Sequence, residues 1–167
     1  KIERQMQVQA LSILKNVNTS NNLNKLEDGR YGIALYDQDW HQGVIGVVAA
    51  RIKEKFHRPT AVFAKINDNE LKGSVRSITG LHIHDVIDLI ATRHPDLINT
   101  FGGHAMAAGL SIPVRQFENF TNIFNQTIKE LITTEQLEAT LLSDGELKDS
   151  ELSLGIAEML FRAGPWG

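Results

Sequence analysis

The chain has 167 residues, 42% of them hydrophobic and 22% charged, with a net charge of −3. That length suits one ordinary domain with short flanks, and the apolar content excludes wholesale disorder. The slight negative balance excludes a uniformly basic nucleic-acid coat. The absence of cysteine excludes disulfides and thiolate metal sites and makes the cytoplasm the default expectation.

In chain order, residues 1–16 carry Ile2, Met6, Ala10 and Leu14 at helical spacing, which predicts an amphipathic helix. The polar stretch VNTSNNLNKLEDGR (17–30) predicts a loop or linker. YGIALYD (31–37) reads as a short apolar strand. GVIGVVAARIKEKFH (43–57) repeats apolar side chains at Ile45, Val48, Ile52 and Phe56, the pattern of a helix. Arg58-Pro59 closes it, because the residue before proline avoids the helical region. TAVFAKI (60–66) and LKGSVRSI (71–78) read as a hairpin around the turn NDNE. A helix is predicted from His84 to Arg93, ended by His94-Pro95. Extended segments at Ile98–Phe101 and Ala107–Ile112 flank a predicted glycine turn. An amphipathic helix over 115–131 turns Phe117, Phe120, Ile123, Phe124 and Ile128 inward. A last helix runs from about Ser150 to Arg162. The alternation predicts an α/β fold: a mixed sheet flanked by helices, with a helical N-terminal connector and a C-terminal helical segment.

The ends carry their own signals. KIERQMQVQA forms neither a signal peptide nor a start-methionine sequence, and FRAGPWG stops just after Gly-Pro. Both ends read as cut, so a piece of a larger protein is expected. No apolar run of about 18 residues occurs, and no membrane span is expected. Charge is uneven along the chain. Arg51 to Arg76 holds seven Lys/Arg against three Asp/Glu, whereas Arg115 to Glu151 holds three against eight. The basic stretch is where a polyanion would sit; a pair of ordinary solvated surfaces fits the same count.

Four clusters have chemical potential. Trp40-His41-Gln42-Gly43 precedes the first long helix, where unpaired amides and the positive dipole end suit a phosphate. Gly43 permits close backbone approach, and Arg51 and Lys55 lie one turn apart behind it. A core tryptophan and a plain helix start would give the same pattern. In the strand around 71–78, Lys72, Ser74 and Arg76 share one face, with Ser77 beside them. Three donors in a row can grip successive phosphates, although exposed polar strand faces are common. His82, His84 and Asp85 open a helix and read as capping and packing groups rather than metal ligands. Gly102-Gly103-His104 offers a permissive backbone and a donor that can meet a phosphate or stack on a base; a plain turn with a structural histidine fits equally. No phosphate-loop motif, dinucleotide fingerprint or nucleophile elbow is present.

Taken together, WHQGVIGVVAARIKEKFHRP (40–59), KGSVRSITGLHIHDVI (72–87) and FGGHAMAAGLSI (101–112) resemble the DHH-associated domain of the RecJ family, bacterial single-strand-specific exonucleases. The resemblance runs from about Tyr31 to Pro113. It implies a helical connector and linker at 1–30, a DHH-associated substrate-binding domain at 31–140, and at 141–167 the start of a segment leading into an oligonucleotide-binding domain. It also implies the substrate-binding part of a 5′→3′ single-stranded-DNA exonuclease of DNA repair and recombination. In this family a preceding domain bears the Asp-His-His motif and holds Mn²⁺ or Mg²⁺. None of those motifs is in this chain, so the resemblance implies no metal site here and no cleavage by the segment alone. By the same analogy Arg76 and Ser77 would contact phosphate or sugar. Gly102, Gly103 and His104 would face the scissile region, His104 in a supporting catalytic role, and His41 and Gly43 would line or support the cleft. Two other readings stand beside this one. One is the same domain in a nano-RNA or cyclic-dinucleotide phosphodiesterase. The other is a non-catalytic nucleic-acid module like that of alanyl-tRNA synthetases.

Overall fold

In the computed structural model, the described residues are 31–138 and 145–164. The helix predicted over 1–16 and the linker at 17–30 lie outside them. Within them the chain begins β1 (Ile33–Tyr36), α1 (Ile45–Phe56), β2 (Thr60–Lys65) and β3 (Glu70–Arg76). It continues with α2 (Ile83–Arg93), β4 (Thr100–Gly103), β5 (Ala107–Pro113) and α3 (Phe117–Leu131), and the last helix is α4 (Leu154–Ala163).

The five strands form one sheet in the order β1-β2-β3-β5-β4. β1 and β2 pair in parallel across the α1 crossover, and every other pair is antiparallel. This is the mixed α/β sheet expected from the sequence. The sheet is buried on both faces at β2, where Thr60 to Ala64 are all fully enclosed. Such a strand reads as a continuous apolar run, as TAVFA does.

One face packs against α1. Ile45, Val48, Ala49 and Ile52 sit on Ile33, Val62 and Ala64, with Trp40 and Phe56 sealing the edges. The other face packs against α2 and α3, where Phe120, Phe124 and Ile128 meet Phe63, Leu71, Leu110 and Ile112. Phe63 and Phe120 meet edge to face at 5.1 Å, the favoured aromatic geometry. Of the predicted inward residues of α3, Phe117 and Ile123 are half-buried, and Thr127 is buried unforeseen. The Asn125 side-chain oxygen accepts from the amides of Tyr31 and Gly32, which ties β1 to α3.

α1 ends as predicted before Arg58-Pro59, with His57 in the left-handed conformation (φ 47°). The glycine turn moves. Gly102 and Gly103 lie in β4, paired with Gly109 and Ala108, and the reversal falls on His104 to Met106. The His104 amide donates to the Ala107 carbonyl at 2.8 Å and closes the hairpin. A small-residue ladder admits the glycines, so the turn takes the next three residues instead. The last predicted helix is a short 3₁₀ turn at Asp149–Glu151 followed by α4, whose Ser153 hydroxyl accepts from the Ile156 amide.

Candidate functional site

Alternation along β3 sends Leu71, Gly73 and Val75 into the core and Glu70, Lys72, Ser74 and Arg76 to the α1 face. Across the ladder these residues stand beside Ser111, Gly109 and Ala107 of β5, then Thr100 and Gly102 of β4. α1 covers the β1-β2 side of this face. What remains is an open trough over β3, β5 and β4, with the start of α1 as its wall. Its near half, about 390 Å³, is lined by Gln42, Gly43, Gly46, Ser74, Arg76 and Gly103 among others. Its far half, about 420 Å³, continues past Lys72 and Gly109 to Thr100, Ser111 and Glu70. Each is within the size range of small-ligand sites.

The floor is bare. A Cβ on Gly102 would meet nothing within 4 Å, and one on Gly109 would meet only the Gly73 carbonyl at 3.9 Å. Packing does not require glycine at either position, so both leave backbone open to a ligand. Gly73 and Gly103 differ. A Cβ on Gly73 would strike Phe63 at 2.5 Å, and one on Gly103 (φ 154°) would strike the Ala107 carbonyl at 2.5 Å. Those two serve the fold.

The cations face this floor. Arg76 Nη1 donates to the Ser74 hydroxyl and to the Val75 carbonyl, both at 2.9 Å. These bonds hold the guanidinium in place while leaving other N–H groups to give. Its Nη2 lies 3.0 Å from where a Cβ on Gly46 would be, so the mid-helix glycine makes room for it. No side chain caps the first turn of α1. The trough wall therefore presents amide N–H groups and the positive end of the helix dipole beside Arg76. Lys72 is exposed and makes no hydrogen bond or ion pair with the described residues. At the far end Glu70 accepts from Asn99 and Ser111, which holds its carboxyl below its ordinary value. The arrangement suits an extended polyanion: fixed donors, an open backbone and walls of positive potential.

The residues singled out in the sequence fall into three groups. Lys72, Ser74, Arg76, Gly43, Gly102 and Gly103 come together in the trough. His41 and His104 stand at its margins. The His41 Nδ1 accepts from the Gly43 amide at 3.0 Å and shapes the wall, and exposed His104 follows Gly103 at the hairpin tip. Arg76 pairs with Ala107, whose carbonyl holds the His104 amide, so the two lie at the same end of the sheet. Ser77 and Arg51 are elsewhere. Ser77 is buried and donates to the Leu81 carbonyl at 2.7 Å, because it continues the inward row of Leu71, Gly73 and Val75 on the opposite side from Arg76. Arg51 is exposed on α1, where it pairs with Glu54 at 3.1 Å.

The sequence reading gave no part in the site to Gly46, Gly109 or Glu70, and took Gln42 only as a member of its cluster. Gly46 inside a helical pattern and Gly109 inside a strand were the available signals, since glycine weakens both elements. At the start of α2 the His82 Nδ1 lies 3.1 Å from an Asp85 carboxylate oxygen, a side-chain pair, and the His82 side chain does not cap the helix as the sequence suggested. Among the described residues no group of three or more His, Cys, Asp or Glu side chains could hold a metal ion. No helix among them is long and apolar enough to cross a membrane.

The DHHA1 domain family matches residues 28–130. The chain is 49% identical over 166 residues to the single-stranded-DNA-specific exonuclease RecJ of Dickeya dadantii and 45% identical over 166 residues to that of Haemophilus influenzae. Each alignment covers 99% of this chain and 28% of the relative, so the chain spans under a third of these relatives' length. Among solved structures it is similar to RecJ of Thermus thermophilus in complex with Mn²⁺, with a TM-score of 0.61 and 25% identity. That match covers 76% of this chain and 17% of the Thermus protein.

Proposed function

This chain belongs to the DHHA1 domain family, and from that premise we propose that it is the strand-gripping domain of a RecJ-type single-stranded-DNA exonuclease. The observation that carries the reading is the trough. Blocks far apart in sequence supply its wall, its cations and its bare floor, and two glycines there have no packing reason to be glycine. In this reading Arg76, steadied by Ser74, takes one phosphate at the α1 N-terminus, and Lys72 takes another along the same strand. The backbone at Gly102 and Gly109 lets the sugar-phosphate chain lie close. His104 stands near the Arg76 end with a donor for substrate held there.

Among the described residues no group of three or more His, Cys, Asp or Glu side chains could hold a metal ion. Hydrolysis in this reading belongs to a preceding DHH domain with its divalent ions, and the segment from 141 leads into an oligonucleotide-binding domain. The work of this chain is orientation and charge neutralisation of the strand. A place in DNA repair and recombination, in the bacterial cytoplasm, follows from the same reading. Arg76→Ala removes a charge-assisted contact and should weaken binding of single-stranded DNA by about tenfold or more, because such bonds contribute roughly 1.5–3 kcal/mol. Fluorescence anisotropy with a labelled oligonucleotide measures this, and an unchanged affinity would reject the assignment.

A further inference from the structure

Glu70 belongs to the same alternating row as Lys72, Ser74 and Arg76, yet it carries the opposite charge. Along an extended strand, alternate side chains stand about 6.8 Å apart. The row therefore reads as cation, hydroxyl, cation and carboxylate at nearly even steps. Glu70 is not a loose surface acid. Its Oε1 accepts from Asn99 Nδ2 at 3.0 Å, and its carboxylate accepts from the Ser111 hydroxyl. The Ser111 hydroxyl in turn shares a hydrogen bond with that of Thr100 at 2.9 Å. Side chains from β3, β5 and the start of β4 thus fix one negative charge at the end of the trough.

The surroundings do not cancel it for a passing strand. Lys65, at the end of β2, is committed to Asp68 at 2.6 Å. Arg115 lies past Glu70, in a neighbouring cleft that also holds Asp68. With Asp68 paired to Lys65, Arg115 is, among the described residues, the one cation of that cleft left to Glu70, and it makes no hydrogen bond or ion pair with it.

We propose that Glu70 is a specificity-determining residue that ends the phosphate track: it admits the phosphates gripped at Arg76 and Lys72 and turns the following one away from the sheet. The step between alternate side chains is close to the phosphate spacing of an extended single strand, so a strand with its first phosphate at Arg76 sets its second over Ser74 and its third at Lys72, and the fourth meets Glu70. The domain then holds a short stretch of strand in register and releases the rest. This inference rests on the strand-gripping reading above.

The test compares a thymidine tetranucleotide, which has three bridging phosphates, with a long oligothymidylate on the intact chain. Glu70→Gln keeps an acceptor for Asn99 and removes the charge. It should tighten the tetranucleotide about threefold, the Coulomb effect of one charge on the phosphate at Lys72 about 7 Å away in water, and the long strand about fivefold more, because its next phosphate stands at about 4 Å. Glu70→Lys should tighten the long strand further and steepen its salt slope by about 0.7, the value of one more phosphate contact. An equal effect on both lengths, or none on the long strand, would overturn the proposal. Arg76→Ala run in parallel separates the two ideas. If it weakens both lengths while the Glu70 variants change nothing, the stop is wrong and the grip stands. If it weakens neither, the grip is wrong and the stop falls with it.

Discussion

The four glycines of the sheet differ in what they do, and substitution separates them. Gly103 has a backbone conformation and a neighbouring carbonyl that exclude a Cβ, whereas Gly102 faces open space. Gly103→Ala should destabilise the domain by about 1–3 kcal/mol, since a strained backbone position costs that order. Gly102→Ala should leave the melting temperature near that of the parent and weaken strand binding, because its methyl occupies the floor. Thermal unfolding with parallel anisotropy reads both, and loss of stability without loss of binding in Gly102→Ala would remove the floor's functional role. At this scale the sequence was informative about Arg76, Ser74 and Lys72 because strand alternation follows from covalent geometry. The role given to Ser77 came from the resemblance and not from alternation, which puts Ser77 on the inward side with Leu71, Gly73 and Val75, where its hydroxyl donates to the Leu81 carbonyl.

Elements were legible where periodicity was long. α1, α2 and α3 fall within a few residues of their predicted limits because amphipathic stripes at helical spacing have few other ways to be buried. The β4-β5 hairpin was less legible. Glycine is permitted in a turn and in a strand, so the dipeptide could not say which, and pairing with Gly109 and Ala108 decided it. The tie between α3 and β1 was not readable at all. Asn125 looks like any polar residue on a helix, yet it caps two amides some 90 residues away in the chain. Asn125→Ala leaves those amides without their acceptor and should cost about 1–3 kcal/mol. Chemical denaturation checks this, and a midpoint unchanged from the parent would show that β1 is held by packing alone.

For the whole molecule, net charge is a poor guide to binding. The chain is negative overall, but Arg76, Lys72 and the head of α1 face one trough, while Glu135 and Glu138 stand on a later segment. With two phosphates held, log affinity for a single strand should fall against log salt with a slope of about −1.4, at about −0.7 per phosphate. Titration at several salt concentrations measures it, and a flat response would exclude a phosphate-dominated grip. The sequence by itself determined the α/β class, the hairpin of β2 and β3, and the side of β3 on which its cations stand. These depend on local periods of two and of 3.6 residues, which any stretch of chain displays alone. Only the tertiary structure decided that Gly46 opens space for Arg76, that Gly102 and Gly109 form one floor, and that Glu70 is locked at its end. Those facts depend on which strands are neighbours, and strand order is set by burying both faces of the sheet at once.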